Sequence, residues 1–246
     1  MLRKISVFTV ISIFICLFLL PSCDAFDGDS QGPVGVNTNT SGETESSDSS
    51  LVMIDPETHK PVGWPSYCPW FSVPWLPQVP PGDWDNTRNC GQAVAVMLGG
   101  YFNHGSVASW VITAENRWLA SHLRDNRYLS SNGWYTGQNN AHPLRELLWH
   151  FHALEAPCYY GNGVDDVIAE LYRGRPVIVC VKTDMKTYGD SHWMLCIGYD
   201  KTYLYFNDPG HHDRSNYGGY CYRYPVWQFD RSWKTQGRVY LPVWRR

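Results

Sequence analysis

Asn89-Cys90-Gly91-Gln92-Ala93-Val94-Ala95-Val96-Met97-Leu98 places one cysteine at the head of a small, apolar, helix-forming run, behind a Trp/Pro/Asp-rich loop. Gly91, Ala93 and Ala95 carry little bulk, so another molecule can approach the sulfur closely. A thiol at a helix N-terminus sits at the positive end of the helix dipole, among unpaired backbone N–H groups. Both effects favour the thiolate, the nucleophilic form of cysteine. The same pattern also suits a small buried hydrophobe opening a core helix. What separates the two readings is whether the rest of the chain supplies a base and a group to orient it.

Downstream of this helix, which runs to about Tyr101, a second spans about Val107 to Leu123, with Trp110, Ala114, Trp118 and His122 at helical spacing. Residues 125–139 are rich in Asn, Ser and Gly and read as a loop. Pro143 suits the first turn of a helix through about His152. Tyr159-Tyr160 reads as a short strand, and Val164 to Tyr172 as a helix ended by Gly174. The pattern then changes. Pro176-Val177-Ile178-Val179-Cys180-Val181 is a β-branched run fit for a central strand. His192 to Tyr199 and Tyr203 to Asn207 form an antiparallel pair turning at Asp200-Lys201-Thr202, stopped by Asp208-Pro209-Gly210. Aromatic strand or short helix follows from Tyr220 to Trp233, and Gly237 to Val243 is a last strand. Upstream, residues 61–82 are Pro- and aromatic-rich and extended or irregular. Helices first and an antiparallel sheet second make the domain α+β.

A cysteine nucleophile needs a base to take its proton and a third group to hold that base. Of nine histidines, His59 lies near the N-terminal segment and His104 in a turn. His122, His142, His150 and His152 lie on or beside helices, and His211-His212 form a loop pair that offers only weak metal ligation. His192 differs. It opens an otherwise apolar strand, with Trp193 available as a shield. In an antiparallel pair the start of one strand lies beside the end of the next. Asp208 should therefore neighbour His192 and orient it; Asn207, one residue away, is the alternative, although alternation points it to the other face.

The N-terminus reads as a targeting segment. Arg3 and Lys4 precede an almost uninterrupted apolar run from Ile5 to Leu20, short for a membrane span of ~20 residues and suited to a secretory signal. Leu20-Pro21-Ser22-Cys23 resembles a bacterial lipobox, which makes Cys23 a candidate lipid anchor. Simple cleavage and an uncleaved anchor remain the alternatives. Residues 24–50 are a polar, acidic tether without Lys or Arg, too poor in apolar residues to fold. All 12 Trp and all 16 Tyr lie in the folded domain of residues 51–246. The chain's formal charge of −3 resides in the tether, so the domain is near neutral and gives no argument for nucleic acid. Apart from Cys16, Cys23 and Cys90, five cysteines remain: Cys68, Cys158, Cys180, Cys196 and Cys221. None has CxxC spacing, and Cys180 and Cys196 fit buried strand positions.

Cysteine on a helix, a Gly-Arg-Pro-Val-Ile-Val strand, His-Trp at a strand start and Asp-Pro after the turn together resemble cysteine peptidase family 39. That is the papain-like group whose founding members trim double-glycine leaders from bacteriocins, and which includes stand-alone domains. The likeness covers roughly Trp75 to Trp233. It implies a papain-like α+β fold with N-terminal helices packed on a C-terminal antiparallel sheet. It also implies Cys90 as nucleophile, His192 as general base and acid, and Asp208 as orienting residue. Val73-Pro74-Trp75-Leu76-Pro77-Gln78 matches the family segment that supplies an oxyanion donor, so the resemblance implies Gln78, with the Cys90 N–H as second donor. Gln78 lies twelve positions before Cys90, further than in leader peptidases. Gln92 stands where proline is common and competes for the role. The expected protein is an exported, lipid-anchored thiol hydrolase of the cell envelope, acting on a peptide or protein through an acyl-enzyme without metal or organic cofactor. Alternatives are an amidase or acyl transferase, or a non-catalytic module holding a peptide or glycan on the same fold.

Overall fold

The computed structural model describes residues 71–84, 87–123, 129–130, 133–134, 136, 138–211 and 219–246. The targeting segment, the tether, Cys23, Cys68 and most of the 125–139 loop lie outside them. The helix that begins at the cysteine is α1, Cys90–Asn103, and it ends at His104, whose left-handed backbone returns its N–H to the Gly99 carbonyl. Helix α2 spans Ser109–His122. A small hairpin follows, β1 (Leu129–Ser130) with β2 (Gly133–Trp134), then α3, Gln138–Glu146. A π-helical turn, Leu147–Phe151, leads to β3 (Leu154–Glu155) and β4 (Tyr159–Tyr160). Next come α4 (Val164–Tyr172), β5 (Val177–Lys182), β6 (Ser191–Tyr199) and β7 (Tyr203–Asn207). The chain closes with β8 (Tyr222–Pro225), α5 (Val226–Lys234), β9 (Val239–Pro242) and β10 (Trp244–Arg245).

The frame is a six-stranded sheet in the order β4-β9-β5-β6-β7-β8, with every pairing antiparallel. Its central strands are apolar on both faces because helices cover both. Ile178 and Cys180 of β5, with Trp193, Leu195 and Ile197 of β6, pack against α1, α2 and α3. Val177, Val179 and Val181, with Met194 and Cys196, pack against α4 and α5. The period of two thus divides one strand between two cores. A bulge between Cys196 and Gly198 shifts that phase, so Tyr199 joins the α4–α5 side. Helix α1 is buried from Gly91 through Gly99, as befits a helix apolar on nearly every face.

Three local expectations change. The Trp110 and Trp118 spacing does mark a helix, but the buried face of α2 is Val111, Ile112, Glu115 and Leu119, and Trp110 stays exposed. The stripe turns because Glu115 is taken into the interior by a histidine partner. Helix α3 starts before Pro143 and contains it. Ala141 has a φ of 58°, so the helical path is interrupted there and Pro143 opens the second part, where its missing N–H costs nothing. The Tyr220–Trp233 stretch divides into β8 and α5. Among the described cysteines, Cys90, Cys158, Cys180, Cys196 and Cys221 are all free thiols.

Candidate active site

Cys90 is the first residue of α1 and is half-buried. Asn89 precedes it at the N-cap but makes no side-chain cap bond. The first N–H groups of the helix are therefore not taken by a capping side chain. His192 is the second residue of β6 and pairs in register with Val181 of β5. Asp208 follows the last residue of β7, one step beyond the Leu195–Asn207 pair. The hairpin brings the two together, with His192 Nε2 2.7 Å from Asp208 Oδ1. Both are buried. That leaves the ring's other nitrogen, Nδ1, free of Asp208, and the imidazole is close enough to Cys90 to act on its thiol.

Asp208 is held from every side. Its Oδ1 also accepts the Gly210 N–H at 2.9 Å, and the Tyr224 hydroxyl donates to Oδ2 at 3.4 Å. The Trp75 indole N–H donates to its carbonyl at 2.8 Å, and its own N–H donates to the Gly219 carbonyl at 2.9 Å. Two glycines make room for this. A Cβ on Gly210 would stand 2.7 Å from His192 Cε1, and one on Gly219 would collide with the Asp208 carbonyl. Asn207 points elsewhere, as alternation requires: its amide donates to the Val73 carbonyl at 2.9 Å, and its Oδ1 accepts the Cys221 N–H.

The charges follow from these contacts. Burial alone would raise the Cys90 thiol, but the hydrogen bond and positive charge of His192 outweigh it, and the N–H groups of Trp193 and Gly91 add to them; the thiol falls below its ordinary value. Burial likewise opposes the imidazolium, yet Asp208 and then the Cys90 sulfur push His192 up to about 10. Asp208 stays below its ordinary value despite burial, because His192 and the Gly210 N–H support its charge. The three groups stand in a row, thiol, imidazole and carboxylate, and each shift favours the charged form of its group. Cys180, with no such partner, is driven up to about 12 by burial.

The two glutamines divide clearly. Gln92 is fully buried, and its side-chain amide donates to Asn116 Oδ1 at 2.8 Å. Gln78 is pinned by its backbone: its N–H donates to the Pro209 carbonyl at 2.9 Å, and its carbonyl faces Asn89 Nδ2 and Thr87 Oγ1, each at 3.4 Å. Its side chain is buried, and its Oε1 has no hydrogen-bond partner among the described residues. Of the remaining histidines, His122 stacks on Trp118, His152 meets Glu115 and His211 lies against Tyr222; His59 and His212 lie outside the described residues. Among the described residues no group of three His, Cys, Asp or Glu side chains is arranged to hold a metal. Reading the sequence alone missed Asn89, Asn116 and Tyr224. Asn89 reads as an ordinary cap and Asn116 as a solvated helix residue, and the Tyr224 hydroxyl is one of many in an aromatic stretch.

Helices on both faces of an antiparallel sheet, with a thiol at a helix head and an imidazole at a strand start, make this a papain-like α+β fold of the cysteine-peptidase class. The chain belongs to the Peptidase C39 like family, whose model matches residues 71–241. Among solved structures, a Bacillus anthracis protein described as a C39-like peptidase shares 17% identity, covering 71% of this chain and 96% of its own at a TM-score of 0.51. The double-glycine-motif protease of an AMS/PCAT transporter, solved with a leader peptide, shares 18% identity, with 71% and 92% covered and a TM-score of 0.42. The peptidase domain of Streptococcus ComA, a bifunctional ABC transporter of a quorum-sensing pathway, shares 16%, with 71% and 99% covered and a TM-score of 0.42. No curated protein sequence matches the chain.

Proposed function

We propose that the chain is a thiol hydrolase that cleaves peptide or related amide bonds through an acyl-enzyme at Cys90. The observation that carries this is the His192–Asp208 bond at 2.7 Å, with the helix-head Cys90 electrostatically coupled to the same imidazole. A buried ion pair is costly to keep unless every member is partnered, and a binding module has no need of a charged thiolate in its cleft. In this reading the Cys90 thiolate attacks the scissile carbonyl, and the Gln78 side-chain amide and the Cys90 N–H bind the oxyanion. The His192 imidazolium then protonates the leaving amine, and as a neutral base it activates the water that releases the acid. Gln78 is favoured over Gln92 because the Gln92 amide is already committed to Asn116. No step calls for a metal or organic cofactor.

The test is the pH profile of Cys90 alkylation by iodoacetamide. A thiolate–imidazolium pair keeps alkylation fast at mildly acidic pH, where free thiols of pKa ~8.5 are protonated. His192→Ala should move the midpoint back toward that free value. An ordinary thiol profile, indifferent to His192→Ala, would remove the catalytic reading and leave a module that holds a peptide or glycan.

We also propose that the chain is exported and anchored at the membrane surface by lipid on Cys23, with residues 24–50 as a spacer. The apolar run ahead of Pro21-Ser22-Cys23 supports this. Cys23→Ala should release the protein from the membrane fraction, and unchanged partition would favour an uncleaved signal segment instead.

A further inference from the structure

Asparagine is among the best N-cap residues because its side-chain oxygen accepts an N–H of the first helical turn. Asn89 occupies that position and declines the role. Its oxygen instead accepts the Asn116 Nδ2 amide of α2 at 2.9 Å. Its own Nδ2 is turned back onto the preceding loop, to the Pro81 carbonyl at 2.8 Å and Thr87 Oγ1 at 2.9 Å, with the Gln78 carbonyl at 3.4 Å. Asn116 Oδ1 in turn accepts the Gln92 amide at 2.8 Å. The side-chain dipoles thus run head to tail from α1 through α2 to the 78–87 loop, and each member polarises the next. Asn89 and Gln92 are both fully buried, so a broken link leaves a polar group unsatisfied where water cannot replace it.

The far end of this relay is the backbone of Gln78, whose N–H is bound to the residue after Asp208. Gln78 is therefore clamped between the orienting carboxylate and the nucleophile's helix, and the helix side of that clamp depends on Asn116. We propose that Asn116 is a positioning residue that, through Asn89, fixes where the Gln78 side chain stands at the site. The proposal rests on the reading of Gln78 as oxyanion donor, and it adds a member from α2, an element that touches neither the thiol nor the imidazole through any described hydrogen bond. Small displacements matter at such a donor, since about 1 Å of misplacement can cost on the order of a hundredfold in rate.

Two probes of the full chain separate this role from mere folding. Iodoacetamide reacts by displacement and forms no oxyanion, so it reads the thiolate alone. Acylation of Cys90 by 4-nitrophenyl acetate passes through a tetrahedral oxyanion and reads the donors as well. Asn116→Ala and Asn116→Asp should each lower acylation by roughly tenfold to a hundredfold while alkylation stays within about twofold. Asn116→Asp still accepts from Gln92 but cannot donate to Asn89. Gln78→Ala should lower acylation further, and adding Asn116→Ala to it should change nothing more, because the two act as one unit. An unchanged acylation-to-alkylation ratio, equal loss of both rates, or a full extra loss in the double variant would each overturn the proposal. If wild-type Cys90 alkylates but never acylates, the hydrolase reading falls separately. Hydrogen exchange of the Gln78 amide then decides the positioning claim: faster exchange in Asn116→Ala sustains it, and unchanged protection overturns it.

Discussion

His192 with Asp208 and His152 with Glu115 are both buried histidine–carboxylate pairs, at 2.7 Å and 2.5 Å. Distance and burial are nearly matched, yet the protonation states are opposite. Burial lowers His152 to about 4 and raises Glu115 well above its ordinary value, so both shifts favour the uncharged forms. His192 and Asp208 move the other way and are charged. The difference lies in what else touches the carboxylate. Asp208 receives the Gly210 N–H and the Tyr224 hydroxyl, and its histidine also faces the Cys90 sulfur. Glu115 has no second donor, and its Oε2 is without a partner among the described residues. A single hydrogen bond does not hold a charge in a dry interior, whereas several do.

The largest effect should come from removing each carboxylate's charge without its shape. Asp208→Asn deprives the imidazolium of its counter-charge, and hydrolysis of 4-nitrophenyl acetate should fall by about 10²–10⁴-fold. Glu115→Gln keeps the uncharged form that burial favours, so activity should stay within about twofold and, near pH 6.5, the melting midpoint should move little. A Glu115→Gln variant as damaged as Asp208→Asn would mean that the two pairs are alike after all.

Stability against pH sharpens the contrast. Glu115 is raised above 4.5, so its contribution is lost as pH rises through the folded value. His152 is depressed from 6.5 to about 4, so it costs stability as pH falls through that interval. Between pH 4.5 and 6.5 the folded pair and the unfolded pair each hold one proton, and the two trends cancel. Above 6.5, until Glu115 itself titrates in the folded state, the folded pair holds more protons than the unfolded one, so stability should decline with rising pH, by up to about 1.4 kcal/mol per unit. Urea melts of wild type and Glu115→Gln across pH 6–9 check this, since the glutamine variant should lose that slope. The smallest effect is expected of Tyr224→Phe, which removes a 3.4 Å bond from Asp208. About a threefold drop in turnover is the scale of one long, neutral donor, and a null result would leave Gly210 as the donor that matters.

Much of the frame was legible because it is set by local pattern. The β-branched Val177–Val181 run, the apolar strand from His192 and the small-residue helix from Cys90 each announce their element. The hairpin between them brings His192 and Asp208 together by antiparallel geometry alone. What stayed hidden depends on contacts across the fold. Nothing local marks Glu115 as a buried residue, since its burial depends on a histidine 37 positions away. The same is true of Asn116, whose amide reaches across to Asn89, and of Ala141, whose backbone turns left-handed between a first helical stretch and the part that Pro143 opens. The choice between Gln78 and Gln92 likewise needed a third residue, Asn116, to occupy one of them.

Cys180 and Cys196 are free thiols on adjacent strands of the central sheet, one facing the α1–α3 layer and the other the α4–α5 layer. Neither can meet a reagent until its own layer lifts from the sheet, whereas Cys90 is already half-exposed. The molecule thus carries two internal clocks and one constant signal in the same chemistry. The order in which the silent thiols become labelled under mild denaturant tells which half of the sandwich opens first, and whether the nucleophile is still in place when it does.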